Sequence, residues 1–421
     1  MATPPTGQQV IHVDDLAEPV LSPAQRDVLD LMKDFGELDL DALLRRAARK
    51  AGTDYFGDPE FLPRAQAQVD AVNADQGQTG LGRFIQQQRM VRLLVQRARL
   101  EDLLLRHPEI HDIEIERPLI VVGLPRSGTT HLVNLLAADP RRRSLPYWES
   151  QEPFPLPGEG PGADGVDPRY LRSRSAYDSE ADLTPLVAAM HDRHPGSVEE
   201  EVELLDLDFA AYCLEWHARV PGWRDQYYEL DQDQHYAYLR TTLKALTFLR
   251  GPRSWVLKSP QHLENIGPLI RTFPDATVAF THRDPLAVVQ SAATMLAYGD
   301  RMRRTEIDAP ALGAYWVDRI ERLLRCGVRD RDLVPAEQSL DISFHHFMRD
   351  DLATVDRIYA LAGSTLEGSE RDAVTGYLAE NGRGSKGRLV YDLQRDFGIS
   401  PASVRDRFTF YTDRFDIEEE L

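Results

Sequence analysis

A continuous apolar run that ends in glycine constrains this chain most. The segment PLIVVG, residues 118–123, contains no polar side chain and has two adjacent valines. Such a run is typical of a strand that is buried on both faces of a sheet. A turn with proline, arginine, serine and glycine follows, and the next segment, HLVNLLAA, has helical spacing. The run therefore predicts a strand–loop–helix unit inside an α/β protein.

The same alternation of strand and helix recurs later in the chain. Three further short apolar runs are each followed by a helical pattern, the runs at 254–257, 276–280 and 339–342 and the helices at about 261–272, 285–298 and 344–362. Repeated alternation of this kind favours a parallel sheet with helices on both faces. We therefore expect an α/β fold whose parallel sheet is flanked by helices, with a helical lead-in and a mostly helical insertion, and of the P-loop type if the loop after the first strand holds phosphate.

The chain before residue 117 reads as helical. Residues 1–21 show no period and are expected to form an extended arm. Ser22-Pro23 and Asp39 are typical helix starts, because serine and aspartate cap helices and proline suits the first helical position. We expect residues 1–116 to pack on an α/β domain formed by residues 117–421, which carries a long insertion at about 144–250.

The insertion combines acids and aromatic residues. It contains an acidic segment with helical character, SVEEEVELLDLDF. Six aromatic residues end or follow it: Phe209, Tyr212, Trp216, Trp223, Tyr227 and Tyr228. The first three have the spacing of one helical stripe and are expected in the core. The last three follow Pro-Gly and are candidates to line a ligand pocket.

The segment GLPRSGTT, residues 123–130, carries the clearest chemical signal. Backbone N–H groups of a glycine-containing loop and of the helix after it form a nest for phosphate. Gly123 and Gly128 have the spacing of the nucleotide phosphate loop, but Thr129 stands where that pattern has lysine. The difference disfavours a kinase or NTPase. The residues expected to hold phosphate are Arg126, Ser127, Gly128, Thr129 and Thr130.

The segment PRSGTTHLVNLLAADP resembles the 5′-phosphosulfate loop of sulfotransferases that use 3′-phosphoadenosine-5′-phosphosulfate. The segment WVLKSPQHLENIGPLIRTFPDATVAFTHRDPLAVVQSAATM is similar to the same superfamily in register. The similarity is greatest to the bacterial branch and to the tyrosylprotein sulfotransferases. It extends over residues from about 117 to 395, with the insertion poorly matched.

The resemblance implies further residues for the nucleotide. Arg283 and Ser291 stand at the positions of the family's 3′-phosphate ligands, and an arginine fork matches a phosphate. Lys386, Gly387 and Arg388 belong to a basic, glycine-containing loop like the one that family members carry near the carboxyl terminus. These residues are expected to close over a nucleotide phosphate.

The resemblance also implies how the reaction is catalysed. Lys258 matches the lysine that contacts the bridging or sulfonate oxygens, and Arg126 adds positive charge. Glu149 stands where the tyrosylprotein branch has its glutamate base, between aromatic neighbours that would raise its pKa. His262 is the second choice for the base, and His131 is a third. The reaction implied is in-line transfer of a sulfonate group to an acceptor hydroxyl.

Donor, acceptor and metal follow from the same reading. The donor is 3′-phosphoadenosine-5′-phosphosulfate and the product adenosine 3′,5′-bisphosphate. The acceptor is a small-molecule or lipid-like hydroxyl compound, with an apolar or aromatic one favoured. No metal is expected, because lysine and arginine carry the charge that Mg²⁺ carries in a kinase. The sequence also has no pattern of residues that demands a metal. A kinase or NTPase with a degenerate loop, or an inactive nucleotide-binding protein, is the alternative, and the homo-oligomeric state stays open.

Composition and charge limit the classes of partner and the cell compartment expected for this protein. The chain has 49 Lys+Arg against 68 Asp+Glu, a net charge of −19, which disfavours nucleic acid and anionic lipid as electrostatic partners. The acids concentrate in 199–208 and 416–420, whereas 117–131, 250–262 and 383–388 contain none. Two cysteines, no apolar stretch that would cross a bilayer and no secretory pattern in the first twenty residues favour a cytoplasmic protein.

Overall fold

A five-stranded sheet lies at the centre of the protein. The computed structural model describes residues 10–381 and 388–420. The strands are β1 (Val10–Ile11), β2 (Leu119–Gly123), β3 (Arg142–Arg143), β4 (Ser254–Lys258), β5 (Thr277–His282), β6 (Ser339–Ser343) and β7 (Arg388–Leu389). The central sheet has the order β3-β4-β2-β5-β6, and each neighbouring pair is parallel. Both the parallel sheet and the four long strands confirm the sequence prediction.

Helices account for most of the remaining regular structure. They are α1 (Pro23–Met32), α2 (Leu40–Ala51), α3 (Leu62–Ala74), α4 (Gly80–Arg106), α5 (Thr129–Ala137), α6 (Tyr147–Gln151), α7 (Pro168–Leu183), α8 (Val187–Met190), α9 (Val202–Leu205), α10 (Pro221–Tyr228), α11 (Gln232–Arg250), α12 (Ile266–Thr272), α13 (Pro285–Arg303), α14 (Ala309–Asp330), α15 (Phe344–Arg349), α16 (Asp351–Leu361), α17 (Gly368–Glu380), α18 (Leu393–Phe397) and α19 (Pro401–Phe415). Short 3₁₀ helices include Asp206–Asp208, Tyr212–Trp216 and Pro260–Glu264.

Local sequence explains the first two helix starts. The Ser22 hydroxyl accepts the Gln25 N–H at 3.2 Å, and the Gln25 side chain accepts the Ser22 N–H at 2.8 Å. This reciprocal capping box satisfies backbone donors that the first helical turn leaves without partners. Asp39 caps α2 in the same way through the Ala42 N–H. Both predicted helix starts are confirmed.

Strand β2 is buried on both faces of the sheet, as its apolar run predicts. Ile120 and Val122 belong to a large hydrophobic cluster on one face, whereas Leu119 and Val121 belong to a second cluster on the other. Side chains of a strand alternate between faces, so one run supplies both cores. Helices α13 and α14 contribute to the first cluster and α5 and α16 to the second.

The chain before the sheet shares the first of these cores. Leu93, Leu94 and Ala98 of α4 are fully buried and lie in the same cluster as Ile120 of β2. Helix α4 contacts α2, α11 and α13. The helical lead-in is therefore packed on the α/β part of the chain through one continuous hydrophobic core.

The insertion differs from two of its predicted features. Phe209 has a φ of +56° and ends a 3₁₀ turn, so it does not share one helix with Tyr212 and Trp216. Phe209 and Tyr212 are nevertheless buried, which confirms their place in the core. Trp223 and Tyr227 are also buried in the core and do not form the wall of an open acceptor pocket, because tertiary packing covers them.

The amino-terminal arm is tied to the far end of the chain. Strands β1 and β7 form a parallel two-stranded sheet that pairs Val10 with Arg388 and Ile11 with Leu389. Of the predicted basic loop, Lys386 and Gly387 lie outside the described residues, and Arg388 begins β7. Within residues 10–381 and 388–420, no helix has the length and apolar character needed to cross a membrane.

Candidate functional site

The carboxyl ends of three neighbouring strands bring the predicted residues to one edge of the sheet. Gly123, the last residue of β2, pairs with Thr281 of β5, and Val121 pairs with Lys258, the last residue of β4. Arg283 follows β5 directly. In parallel α/β sheets this edge is where ligands bind. The phosphate loop, Lys258 and Arg283 therefore meet at the usual ligand-binding edge.

Close packing and two positive φ angles shape the phosphate loop. A Cβ at Gly123 would lie 2.0 Å from the Thr281 hydroxyl, so only glycine allows the strands to approach there. The Ser127 hydroxyl donates to the Leu124 carbonyl at 2.6 Å and hydrogen bonds with the Thr281 hydroxyl at 2.8 Å. Gly128 and Arg126 have φ of +86° and +68°. These angles turn the chain sharply into α5.

The loop and α5 have the form of an anion-binding nest. Helix α5 has nine residues and begins at Thr129, directly after Gly128. The free N–H groups of its first turn therefore point towards the loop. The positive end of the helix dipole adds to those donors. A phosphate or phosphosulfate group fits this cradle, in which a Cβ at residue 123 or 128 would meet other atoms.

Arg126 and Ser291, predicted from distant parts of the sequence, are in direct contact. Arg126 Nε donates to Ser291 Oγ at 3.0 Å, and Arg126 Nη1 donates to the Met190 carbonyl. Ser291 Oγ donates in turn to the Tyr391 hydroxyl at 3.1 Å. Tyr391 lies just after β7, so the small sheet brings a residue to the site that the sequence reading missed.

Arg283 also reaches the phosphate loop. Its Nη1 donates to the Arg126 carbonyl at 2.5 Å, and its guanidinium lies over the Phe344 ring at 4.1 Å from the ring centre. Its Nε and Nη2 each donate to one carboxylate oxygen of Glu420 at 2.7 Å. The structure thus joins Arg126, Ser291 and Arg283 in one polar network.

Lys258 is buried beside the loop. Its side chain is only 1% exposed, and Nζ lies 2.5 Å from Glu200 Oε1 and 3.4 Å from the Thr130 hydroxyl. The Lys258 backbone N–H donates to Glu201 Oε2 at 2.7 Å. Two consecutive acids of the insertion therefore hold the amine and the backbone of this lysine.

Glu200 is a candidate that the sequence reading did not single out. Burial raises the pKa of its carboxyl, and the neighbouring charge of Glu199 adds to the rise, while Lys258 acts against it. A partly buried carboxylate with a raised pKa next to a cation is suited to accept a proton. The signal was present in the acidic run at 199–201, but its contact with Lys258 depends on the folding of the insertion.

His262 is clamped on both ring nitrogens. Nε2 lies 2.6 Å from Glu201 Oε1 and Nδ1 lies 2.7 Å from the Tyr236 hydroxyl, and the residue is fully buried. This arrangement fixes Glu201, which binds the Lys258 N–H, and suits support better than proton transfer. His131 Nε2 lies 3.0 Å from Asp351 Oδ1.

Glu149 is buried with a raised pKa, as predicted, but the structure pairs its carboxylate with an arginine. Its carboxylate is 1% exposed and forms an ion pair with Arg250, at the end of α11. Burial raises the pKa of Glu149, and Arg250 opposes the rise. Arg250, the partner of Glu149, precedes the start of β4, whereas Lys258 is the last residue of that strand. The two ends of a five-residue strand lie ~13 Å apart. The geometry places Glu200, instead of Glu149, at the Lys258 amine.

Within residues 10–381 and 388–420, no three or more histidine, cysteine, aspartate or glutamate side chains are arranged to hold a metal ion. The cations around the loop are the side chains of Arg126, Lys258 and Arg283. Their arrangement can hold a ligand that carries two separate anionic groups.

Comparisons with known proteins agree with this geometry. The profile of the sulfotransferase family matches residues 118–368, which is more than half of the chain. The crystal structure of sulfotransferase STF9 from Mycobacterium avium is similar over 90% of this chain and 97% of its own, with 26% identity and a TM-score of 0.80. Sulfotransferase STF1 from Mycobacterium tuberculosis H37Rv is similar over 90% of this chain and 100% of its own, with 27% identity and a TM-score of 0.77. No curated protein sequence matches the chain.

Proposed function

The chain belongs to the sulfotransferase family, and on that premise we propose that it transfers a sulfonate group from 3′-phosphoadenosine-5′-phosphosulfate to an acceptor hydroxyl. The observation that carries the proposal is the network of Arg126, Arg283 and Ser291 beside the phosphate loop. One end of this network suits the 5′-phosphosulfate of the donor. The other end suits its 3′-phosphate.

The phosphate loop binds the reacting end of the donor in this proposal. The N–H groups of the loop and of the first turn of α5 take the 5′-phosphate oxygens, with the hydroxyls of Ser127, Thr129 and Thr130 close by. The Arg126 guanidinium, which contacts Ser291, adds positive charge beside the loop. Fixed dipoles of this kind need no reorganisation when charge develops, which lowers the barrier to reaction.

Arg283 and Ser291 bind the 3′-phosphate in this proposal. A guanidinium and a phosphate match each other as a two-point fork, and such charge-assisted hydrogen bonds are stronger than neutral ones. Ser291 is 5% exposed and lies on α13, which starts two residues after Arg283. A helix and the strand before it therefore fix both ligands relative to the loop.

Lys258 and Glu200 carry the chemistry. Glu200 accepts the proton of the acceptor hydroxyl as the new oxygen–sulfur bond forms, and the sulfur–oxygen bond to the 5′-phosphate breaks. The leaving phosphate oxygen gains the negative charge, which Lys258 stabilises. An ammonium has three N–H groups. Lys258 can therefore keep its contacts with Glu200 and Thr130 and use the third N–H for an oxygen of the sulfonate donor.

The acceptor is proposed as a small-molecule or lipid-like hydroxyl compound. The donor site supplies no contact that would read the acceptor, and two of the three aromatic residues expected to line its pocket are in the core. The side of Lys258 formed by Glu199–Glu201 is where an acceptor hydroxyl must approach. An acceptor with a neutral or cationic neighbourhood at its hydroxyl suits these acids.

The proposal predicts binding of adenosine 3′,5′-bisphosphate with Mg²⁺ removed by chelation. We expect a raised melting temperature, because a ligand that binds only the folded state stabilises it. Arg283→Ala and Lys258→Ala should each weaken binding, measured by calorimetry. Arg271→Ala, which removes an exposed ion pair with Asp233, is the matched control and should leave binding unchanged.

A transfer assay tests the chemistry itself. Labelled donor is incubated with a panel of hydroxyl compounds, and sulfonated products are separated and counted. Transfer to at least one acceptor, lost in Lys258→Ala, is the expected result. Stabilisation only by Mg·ATP or Mg·GTP, with no response to the bisphosphate, would instead identify a nucleotide kinase or NTPase.

A further inference from the structure

The acidic segment after α19, residues 416–420, returns to the nucleotide site. The two carboxylate oxygens of Glu420 accept the Nε–H and Nη2–H of Arg283, each at 2.7 Å. The two side chains are 21% and 20% exposed, so the pair is largely covered. A carboxylate of the protein thus occupies the fork that the proposed function gives to the 3′-phosphate.

Two main-chain contacts hold the segment in that position. The Glu420 N–H donates to Asp284 Oδ2 at 2.8 Å, and Arg405 Nη2 donates to the Glu420 carbonyl at 2.9 Å. Arg405 Nε also lies 3.0 Å from Glu419 Oε2. The backbone of Glu420 is therefore fixed on both sides. Its carboxylate is aimed at Arg283 by the fold and not by one surface ion pair alone.

The guanidinium of Arg283 has no free nitrogen in this arrangement. Nη1 donates to the Arg126 carbonyl, and Nε and Nη2 donate to Glu420. A carboxylate and a phosphate bind a guanidinium through the same two-point geometry. Both groups are anionic and would repel each other at this distance. Glu420 and a 3′-phosphate cannot occupy the fork together.

We propose that the 416–420 segment is a built-in competitor for the 3′-phosphate, so that the donor binds only when Glu420 leaves Arg283. This inference rests on the proposed function for its assignment of Arg283. Apparent affinity falls by the fraction of molecules in which the fork is free. A segment docked in about 90% of molecules would weaken binding about tenfold. A nucleotide with no 3′-phosphate does not meet this competition.

Calorimetric titration of two nucleotides into three proteins tests the competition. The nucleotides are adenosine 3′,5′-bisphosphate and adenosine 5′-phosphate, and the proteins are the full chain, Glu420→Gln and Glu418→Gln. Glu418→Gln is the matched control, because it removes the same charge from the same segment. The Glu418 side chain contacts Arg349 instead of Arg283. We expect the bisphosphate to bind Glu420→Gln about tenfold more tightly, with the other affinities unchanged.

Arg283→Ala separates failure of this inference from failure of the proposed function. If Arg283→Ala weakens bisphosphate binding and Glu420→Gln does not change it, the competition is refuted and the site assignment stands. If Arg283→Ala leaves bisphosphate binding unchanged, the assignment of Arg283 is wrong, and the competition falls with it. Weaker binding to Glu420→Gln would overturn the inference by making Glu420 part of the nucleotide site. A gain that Glu418→Gln reproduces would also overturn it, as an effect of net charge.

Discussion

At the scale of single residues, a buried carboxylate, Glu149, and a partly buried one, Glu200, are the candidates for proton acceptor. Burial raises the pKa of both Glu200 and Glu149. Glu200 contacts the Lys258 amine, whereas Glu149 is paired with Arg250 at the other end of β4. A base must lie within hydrogen-bond reach of the reacting hydroxyl, so position decides between them before pKa does.

We therefore predict that Glu200→Gln lowers kcat by roughly 10²–10⁴-fold, the usual contribution of a general base. The affinity for adenosine 3′,5′-bisphosphate should change little. The carboxylate is active only when deprotonated, so kcat of the unchanged protein should fall as pH drops through a pKa above 4.5. Steady-state rates against pH provide the measurement, and Glu200→Gln should lose this acid limb.

Glu149→Gln is the matched control for that experiment. It removes the same negative charge from another buried glutamate and leaves the Lys258 contacts in place. We expect it to lower the melting temperature, because Arg250 loses its partner, and to keep most of kcat. A large loss of kcat in Glu149→Gln, with Glu200→Gln near the unchanged rate, would return the role to Glu149.

Sequence predicts which candidate residues meet in space best where a local pattern and a strand end coincide. The phosphate loop, Lys258, Arg283 and Ser291 all stand in or next to such patterns, and the structure brings them to one edge of the sheet. Glu200 and Glu420 belong to acidic runs that look like solvated surface. Their contacts with Lys258 and Arg283 join segments 58 and 137 residues apart, which no local pattern encodes.

At the scale of elements, buried strands are the part of the fold that sequence predicts best. Strand β2 is apolar throughout because both faces are covered. The insertion is harder, since its turns depend on packing: Phe209 adopts a positive φ that its residue type disfavours. Leu31 is 78% exposed although its spacing in α1 matches that of apolar neighbours, because none of the described elements covers it.

The junction between β2 and α5 supplies the prediction at this scale. Gly128 has a φ of +86°, and a Cβ there would lie 3.2 Å from the Phe344 ring. Gly128→Ala should lower the free energy of unfolding by about 1–2 kcal/mol through backbone strain. It should also weaken bisphosphate binding, since the loop N–H groups would be misplaced. Urea unfolding and calorimetry measure the two effects.

Gly376→Ala tests whether strain, and not loss of glycine as such, is responsible. Gly376 lies inside α17, has no positive φ, and an added Cβ would meet no atom within 4 Å. Alanine is the better helix former there, so stability should rise by up to about 1 kcal/mol. Equal destabilisation by both changes would show that the loop conformation is not what Gly128 secures.

At the scale of the whole molecule, positive charges cluster at one site although the net charge is negative. The chain carries −19 overall, yet Arg126, Lys258 and Arg283 meet at one edge of the sheet. Acids of the two concentrated runs lie against two of these cations, Glu200 on Lys258 and Glu420 on Arg283. The protein thus neutralises part of its cationic site with its own acids, and in our proposal the 3′-phosphate takes the place of Glu420 at Arg283.

The helical lead-in and the sheet are expected to unfold together. Leu94 of α4 is fully buried in the cluster that also contains Ile120 of β2, so the helical lead-in and the sheet share one core. Leu94→Ala should lower the free energy of unfolding by about 2–5 kcal/mol. Leu105→Ala, on the same helix but 63% exposed, should stay within about 0.5 kcal/mol. Urea unfolding should show a single transition that moves as a whole in Leu94→Ala, because a shared core couples both parts. A fragment of residues 117–421 that folds alone and binds adenosine 3′,5′-bisphosphate would contradict this, since the core of the sheet would then form without α4.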